Sequence, residues 1–148
     1  MLSLGNLSAI MYPMSADIYY STETQNDIGE IVSSWSKDRS IKCSAIKEKP
    51  TSTIANVVDS QKFIEYNTLL DFRTDIDILI DSEGIMHYFT EIVISNITDP
   101  LGKVVWAETA SDPTDFEPQN IEPMYDPLHN FLGYRIRLKR ADDQSCIQ

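Results

Sequence analysis

Histidine and cysteine are nearly missing from this chain of 148 residues, which has only His87, His129, Cys43 and Cys146. Two cysteines so far apart make no disulfide framework, and nothing around them has the spacing of a zinc ligand set. That usage reads as synthesis in a reducing compartment. A hydrolytic triad needs a nucleophile oriented by a base. His87, in Met86-His-Tyr-Phe89, reads as a strand residue with a hydrogen-bonding neighbour, and His129 as a surface residue. Glycine is also scarce, five in all, with no phosphate-binding loop and no dinucleotide fingerprint. No apolar run approaches the ~18 residues of a membrane span, and the first residues show neither a basic flank nor a cleavage site. The residues therefore point away from an enzyme, and no metal or cofactor is expected.

Basic residues are the next shortage. Twelve Lys and Arg face 23 Asp and Glu, a net charge of −11. Between Lys103 and Arg135 there is no basic residue at all. Such a chain repels nucleic-acid phosphate at long range, so a counterion-releasing clamp is not expected, while the acidity favours solubility. Asp71, Asp75, Asp77 and Asp81 fall on one face if 71–81 is a continuous strand, but they lack the spacing of a calcium loop. They read as a solvated acidic face.

What the chain does have is alternation. Ala16–Glu23 and Glu30–Lys37 read as a hairpin around Gln25-Asn-Asp-Ile-Gly29, and Ser40–Ile46 alternates again with Ile41 and Cys43 inward. Thr68–Thr74 resumes extended structure. Ile76–Ile80 and Met86–Ser95 read as a hairpin about Asp81-Ser-Glu-Gly84, Asp99-Pro-Leu-Gly102 as a further turn, and Val104–Glu108 and Gly133–Lys139 as strands. The stretch 50–60 fits a short helix and an excursion loop equally well. The expectation is an all-β fold: a small barrel or sandwich of about seven or eight antiparallel strands, with long loops and at most one short helix.

Four prolines (Pro113, Pro118, Pro123 and Pro127) interleave with five acids between residues 111 and 130. Proline removes ladder donors, so this stretch reads as a strap outside the sheet. The expected organisation is an N-terminal arm over 1–15, a barrel core over 16–109, the acidic strap over 110–132, and a strand and tail over 133–148. Phe116, Met124, Tyr125, Leu128 and Phe131 would be the strap's docking anchors. Trp35 is either core filler or an interface anchor, and Arg73 pairs either locally with Asp71 or Asp75 or with another subunit.

The order of these parts resembles the head-closure proteins of tailed bacteriophages, also called head–tail adaptors, joining proteins or stoppers. The resemblance runs over roughly residues 16 to 109. It rests on Asp27-Ile-Gly29-Glu30…Trp35, Ile41–Ile46, Thr51–Gln61, Phe72-Arg-Thr-Asp-Ile-Asp-Ile78 and Tyr88…Ile92-Val-Ile94. The strap and the strand at 133–140 lie beyond the compact family core. The resemblance implies a structural protein of the virion neck, assembled in the host cytoplasm as a ring of roughly twelve or six identical copies. Its partners would be a portal or adaptor protein above and a tail or tail-terminator protein below, with DNA passing through unread and no membrane contact. In some relatives the loop matching Thr51, Ser52, Thr53, Ile54, Ala55, Asn56, Val57, Val58 and Asp59 enters the channel and retains DNA. A tail-terminator or baseplate ring is the neighbouring reading. A small β-barrel module binding peptide or saccharide is the reading of another class.

Overall fold

The computed structural model describes residues 11–47, 69–109, 112–142, 144 and 147. Eight strands occupy most of them: β1 (Met14–Gln25), β2 (Ile31–Lys47), β3 (Leu69–Thr74), β4 (Ile92–Thr98), β5 (Ala107–Thr109), β6 (Asp112–Pro113), β7 (Phe116–Tyr125) and β8 (Phe131–Arg140). Six close into a barrel in the order β1-β2-β3-β8-β7-β4, every neighbouring pair antiparallel, and β5 and β6 form a separate two-stranded sheet. The all-β expectation holds, as a barrel. The helical content described is slight, a single 3-10 turn at Phe89–Glu91 being the named element, and no described helix is long and apolar enough to cross a membrane.

Alternation explains the core. Ala16, Ile18 and Tyr20 point inward from β1, Ile41, Cys43 and Ala45 from β2, Leu70 and Phe72 from β3, and Ile136 and Leu138 from β8, all buried. Each fully buried Ile, Leu or Phe contributes about 2 kcal/mol against the chain entropy it loses. Burial pushes the Cys43 thiol up to about 12, so it behaves as a small apolar side chain. Four irregularities adjust the barrel's register, two between β7 and β8 (at Pro118/Asn120 and Met124/Tyr125) and two on the strands that flank β1. In β4, Asn96 takes φ +52° at a bulge opposite Ser15–Asp17, and Ile97 thereby returns to the core. In β2, Asp38 is the extra residue between the pairs Ile18↔Arg39 and Tyr19↔Lys37.

Among the described residues one turn is used four times. At Asn26, Asp81, Asp99 and Asp126 the side-chain oxygen accepts the backbone N–H groups two and four residues on. The same residue's N–H donates to the carbonyl four residues later, and its carbonyl accepts the N–H three residues later. That third residue is left-handed: Gly29, Gly84, Gly102 and, in the fourth copy, His129 at φ +64°. The pattern is a turn followed by a left-handed bulge residue, locked by an Asx side chain.

Four expectations are corrected. The acidic proline stretch is no strap, because Phe116–Tyr125 is barrel strand β7. Proline is tolerated there because β7 meets β4 at one pair, Ile94↔Phe116; beyond it the ladder runs along β8 alone. The core therefore does not end at residue 109. Nor is 12–15 a loose arm, since β1 starts at Met14 and the buried Tyr12 donates its hydroxyl to the Leu132 carbonyl at 2.7 Å. This crossing requires Gly133, φ +137°, where a Cβ would lie 2.5 Å from the Tyr12 hydroxyl and 2.6 Å from the Thr74 carbonyl oxygen. Finally, 75–91 is a loop bridged once at Ile80↔Met86, and only Ile92–Ser95 of the expected hairpin is strand, as the start of β4. Asp77 and Asp81 accept local backbone N–H groups and so compete with the ladder. With β3 ending at Thr74, residues 71–81 are not one strand, and strand alternation does not align the four aspartates.

Candidate functional site

The strand directions decide which residues meet. β1, β3 and β7 run one way and β2, β4 and β8 the other, so the 26–30 turn, the 75–91 loop and the 126–130 turn all stand at one end of the barrel. Twelve of the sixteen exposed large apolar side chains among the described residues lie there. Ile28, Ile31 and Val32 come from the first hairpin, and Ile80, Ile85, Met86, Tyr88 and Phe89 from the loop. Tyr125, Leu128, Phe131 and Leu132 come from the last hairpin. Scattered singly such residues mean little; gathered at one end they mark a contact surface. The acids Asp27, Glu30, Glu83 and Asp126 are interspersed among them.

Rigid supports hold this crown. The first hairpin continues five residues beyond buried Tyr20, an overhang of about 17 Å. Its base is tied to the loop: the Tyr20 hydroxyl donates to the Ile78 carbonyl at 2.7 Å, Arg39 donates to the Ile80 carbonyl at 3.0 Å, and the Ser82 hydroxyl donates to Asp38 at 2.6 Å. His87 pins the loop from within. Its ring stacks on Tyr20 at 4.3 Å, while Nε2 meets Asp81 at 2.8 Å and Nδ1 meets Glu91 at 3.1 Å. Burial alone would lower its pKa, but the two carboxylates outweigh burial and raise it. The same contact, with the Ile85 and Glu83 amides, holds Asp81 below its ordinary value. With each ring nitrogen on a different carboxylate, His87 is a clamp. Among the described residues no three His, Cys, Asp or Glu are placed to hold a metal ion. At the last hairpin Phe131 packs edge-on against Tyr125 at 6.0 Å and Tyr134 at 5.1 Å.

Of the residues singled out from the sequence, Met124, Tyr125 and Phe131 lie together at this end, Met124 half-buried and the other two exposed. Trp35 stands half-buried on the first hairpin opposite Ser21, outside the core cluster. Arg73 is on the barrel wall, its half-exposed guanidinium 3.2 Å from Asp71, which also takes Arg135 at 3.2 Å. Burial raises the Asp71 pKa, and the two arginines more than reverse this, leaving it lowered. Phe116 is a correction: it is 1 % exposed, edge-on to Trp106 at 6.2 Å, and fills the core where β7 meets β4. The segment Thr51–Asp59 lies outside the described residues. Sequence reasoning missed Ile28, Ile31 and Val32; the signal available was apolar side chains flanking a turn, where a hairpin tip is ordinarily polar.

No protein-family model, no curated protein and no solved structure matches this chain.

Proposed function

We propose that this chain is a structural protein of a tailed-phage neck, forming a ring that connects the head portal to the tail and helps retain packaged DNA. The apolar crown is the observation that carries the reading. A barrel end with twelve exposed large apolar side chains, held on turns locked by Asx side chains, is suited to docking on a protein surface. Its acidic rim selects a basic or neutral partner surface and turns DNA away. The order of sequence parts that resembles head-closure proteins supplies the setting, and the net charge of −11 suits a passage through which DNA slides without sticking.

Imaging virions that carry a gold label on this protein tests the reading. Label at the head–tail joint is the expected result, and heads assembled without the protein should fill and then lose their DNA. Label along or at the far end of the tail would favour a tail ring, and normal virions in its absence would overturn a neck role altogether.

A further inference from the structure

Open strand edges are guarded in one part of this molecule and bare in another. Beyond Phe116, β7 bonds to β8 alone, and Pro118 and Pro123 deny a further strand its donors there. The first hairpin is open on both sides, since β1 meets β4 only as far as Tyr20↔Ile92 and β2 meets β3 only over Ser44–Lys47. Across this ribbon the Asn26 N–H donates to the Glu30 carbonyl, so alternation makes Thr24–Val32 and Thr22–Ser34 the pairs that bond each other. Ser21, Glu23 and Gln25 on one side, and Ile31, Ser33 and Trp35 on the other, therefore aim their backbone N–H and C=O groups outward. Among the described residues no further strand pairs with these six. The ribbon has none of the usual guards: no proline, a register unbroken from Tyr19 to Gln25, and no lysine on β2 before Lys37. Thr22, Thr24, Ile31, Val32 and Trp35 favour extended backbone, and a ribbon of two strands gains stability from strands added to it.

We infer that the β1 edge of one ribbon pairs with the β2 edge of the ribbon in the next copy, so that the hairpins join into one antiparallel band around the ring. This inference rests on the ring reading above and names the edges by which copies would join. The occupant is a second copy because each chain carries both edges, running in opposite directions, so every junction around a ring is antiparallel. A two-fold β1–β1 contact centred on Glu23 would set that carboxylate against itself. Ile31–Ser36 of β2 instead meets Glu23 with no charge of its own, and the half-exposed Lys37 lies just beyond. Only the head-to-tail arrangement leaves no edge open once the ring closes. The bonds are made by main-chain groups, so the apolar side chains of the crown keep their place at the ring's end for another protein. The band also decides the copy number. Strands about 4.8 Å apart at a tilt of about 40° give backbone-to-backbone widths of about 24 Å for six copies and about 48 Å for twelve. Side chains take roughly 5 Å from each wall, so only twelve leave room for a DNA duplex.

Amide hydrogen exchange tests the pairing, with the full chain assembled at up to millimolar concentration, its mass followed, and exchange read residue by residue by NMR. Assembly should slow exchange at least roughly ten-fold at Ser21, Glu23, Gln25, Ile31, Ser33 and Trp35. Thr22, Thr24, Val32 and Ser34 should change little, because their amides are bonded within the ribbon already. Ser33→Pro removes an outward donor and no inward one, so it should keep the monomer's circular dichroism and reduce assembly roughly ten-fold, while Ser33→Thr assembles as before. Protection confined to one strand's outward amides would mean a two-fold pair and overturn the inference. Protection without alternation would overturn it too, as the mark of a contact made by side chains. A ring by mass with all six outward amides unprotected would overturn the band and leave the ring reading standing. A paired band of six copies would overturn the passage of DNA through it. A chain that stays monomeric at millimolar concentration would overturn both the band and the ring.

Discussion

Phe116→Ala separates a core residue from an interface anchor. Phe116 is 1 % exposed, packs edge-on against Trp106, and belongs to the one pair joining β7 to β4. Removing a buried phenyl ring costs about 4 kcal/mol through lost transfer energy and the cavity left behind. The edge contact with Trp106 accounts for up to about 1 kcal/mol of that figure. Against a total of about 5–15 kcal/mol for a domain of this kind, the loss is large enough to populate the unfolded chain. With a urea slope of about 2 kcal/mol per M, the midpoint should fall by about 2 M, which Trp106 fluorescence would follow. Hydrogen exchange should locate the weakening at Ile94 and along β7 and β8. A midpoint unchanged within about 0.5 M, combined with impaired assembly, would refute this reasoning and return Phe116 to the surface.

Phe131→Ala should do the reverse, costing the monomer under about 1 kcal/mol while weakening any complex that uses the crown, as native mass measurements on mixtures would show. Gly133→Ala should destabilise by roughly 3 kcal/mol, since the added Cβ meets the Thr74 backbone and the backbone is left-handed; thermal melting reads it. His129→Gly should stabilise by up to about 1 kcal/mol, because the fourth turn holds a non-glycine residue at φ +64°. The raised His87 pKa makes its contribution fully present below about pH 6.5 and lost as pH climbs through the folded value. Exchange protection of the 75–91 amides, corrected for intrinsic rate, should therefore fall on the alkaline side; protection that grows there would contradict the clamp. The lowered Asp81 pKa works in the opposite sense, its contribution being lost as pH falls through the folded value.

The parts legible in the sequence were those governed by local rules. Alternation in Ala16–Glu23, Ser40–Ile46 and Gly133–Lys139 found β1, β2 and β8, and Asn26–Gly29 and Asp99–Gly102 were readable as turns. The fourth turn was legible too, had Asp126-Pro-Leu-His129 been set beside Asp99-Pro-Leu-Gly102. Instead, proline spacing suggested a strap. That rule assumes a strand paired on both sides, and no local pattern tells which strand of a barrel will be paired on one. Phe116 was misplaced by the same error. The loop at 75–91 looked like a hairpin because its apolar residues alternate, whereas Asp77, Asp81 and His87 settle its shape through side-chain hydrogen bonds that periodicity does not register. The crown itself depends on strand direction, which only the assembled topology supplies.

An even number of antiparallel staves returns the chain to where it began: β1 starts and β8 finishes at the end remote from the crown. Tethering the molecule to a sensor surface by exposed Leu101, in the turn after β4, or by exposed Asp142, just past β8, would present the same apolar tips outward. Affinity measured by either anchor should agree, and a discrepancy between them would reveal contacts made by the anchored base.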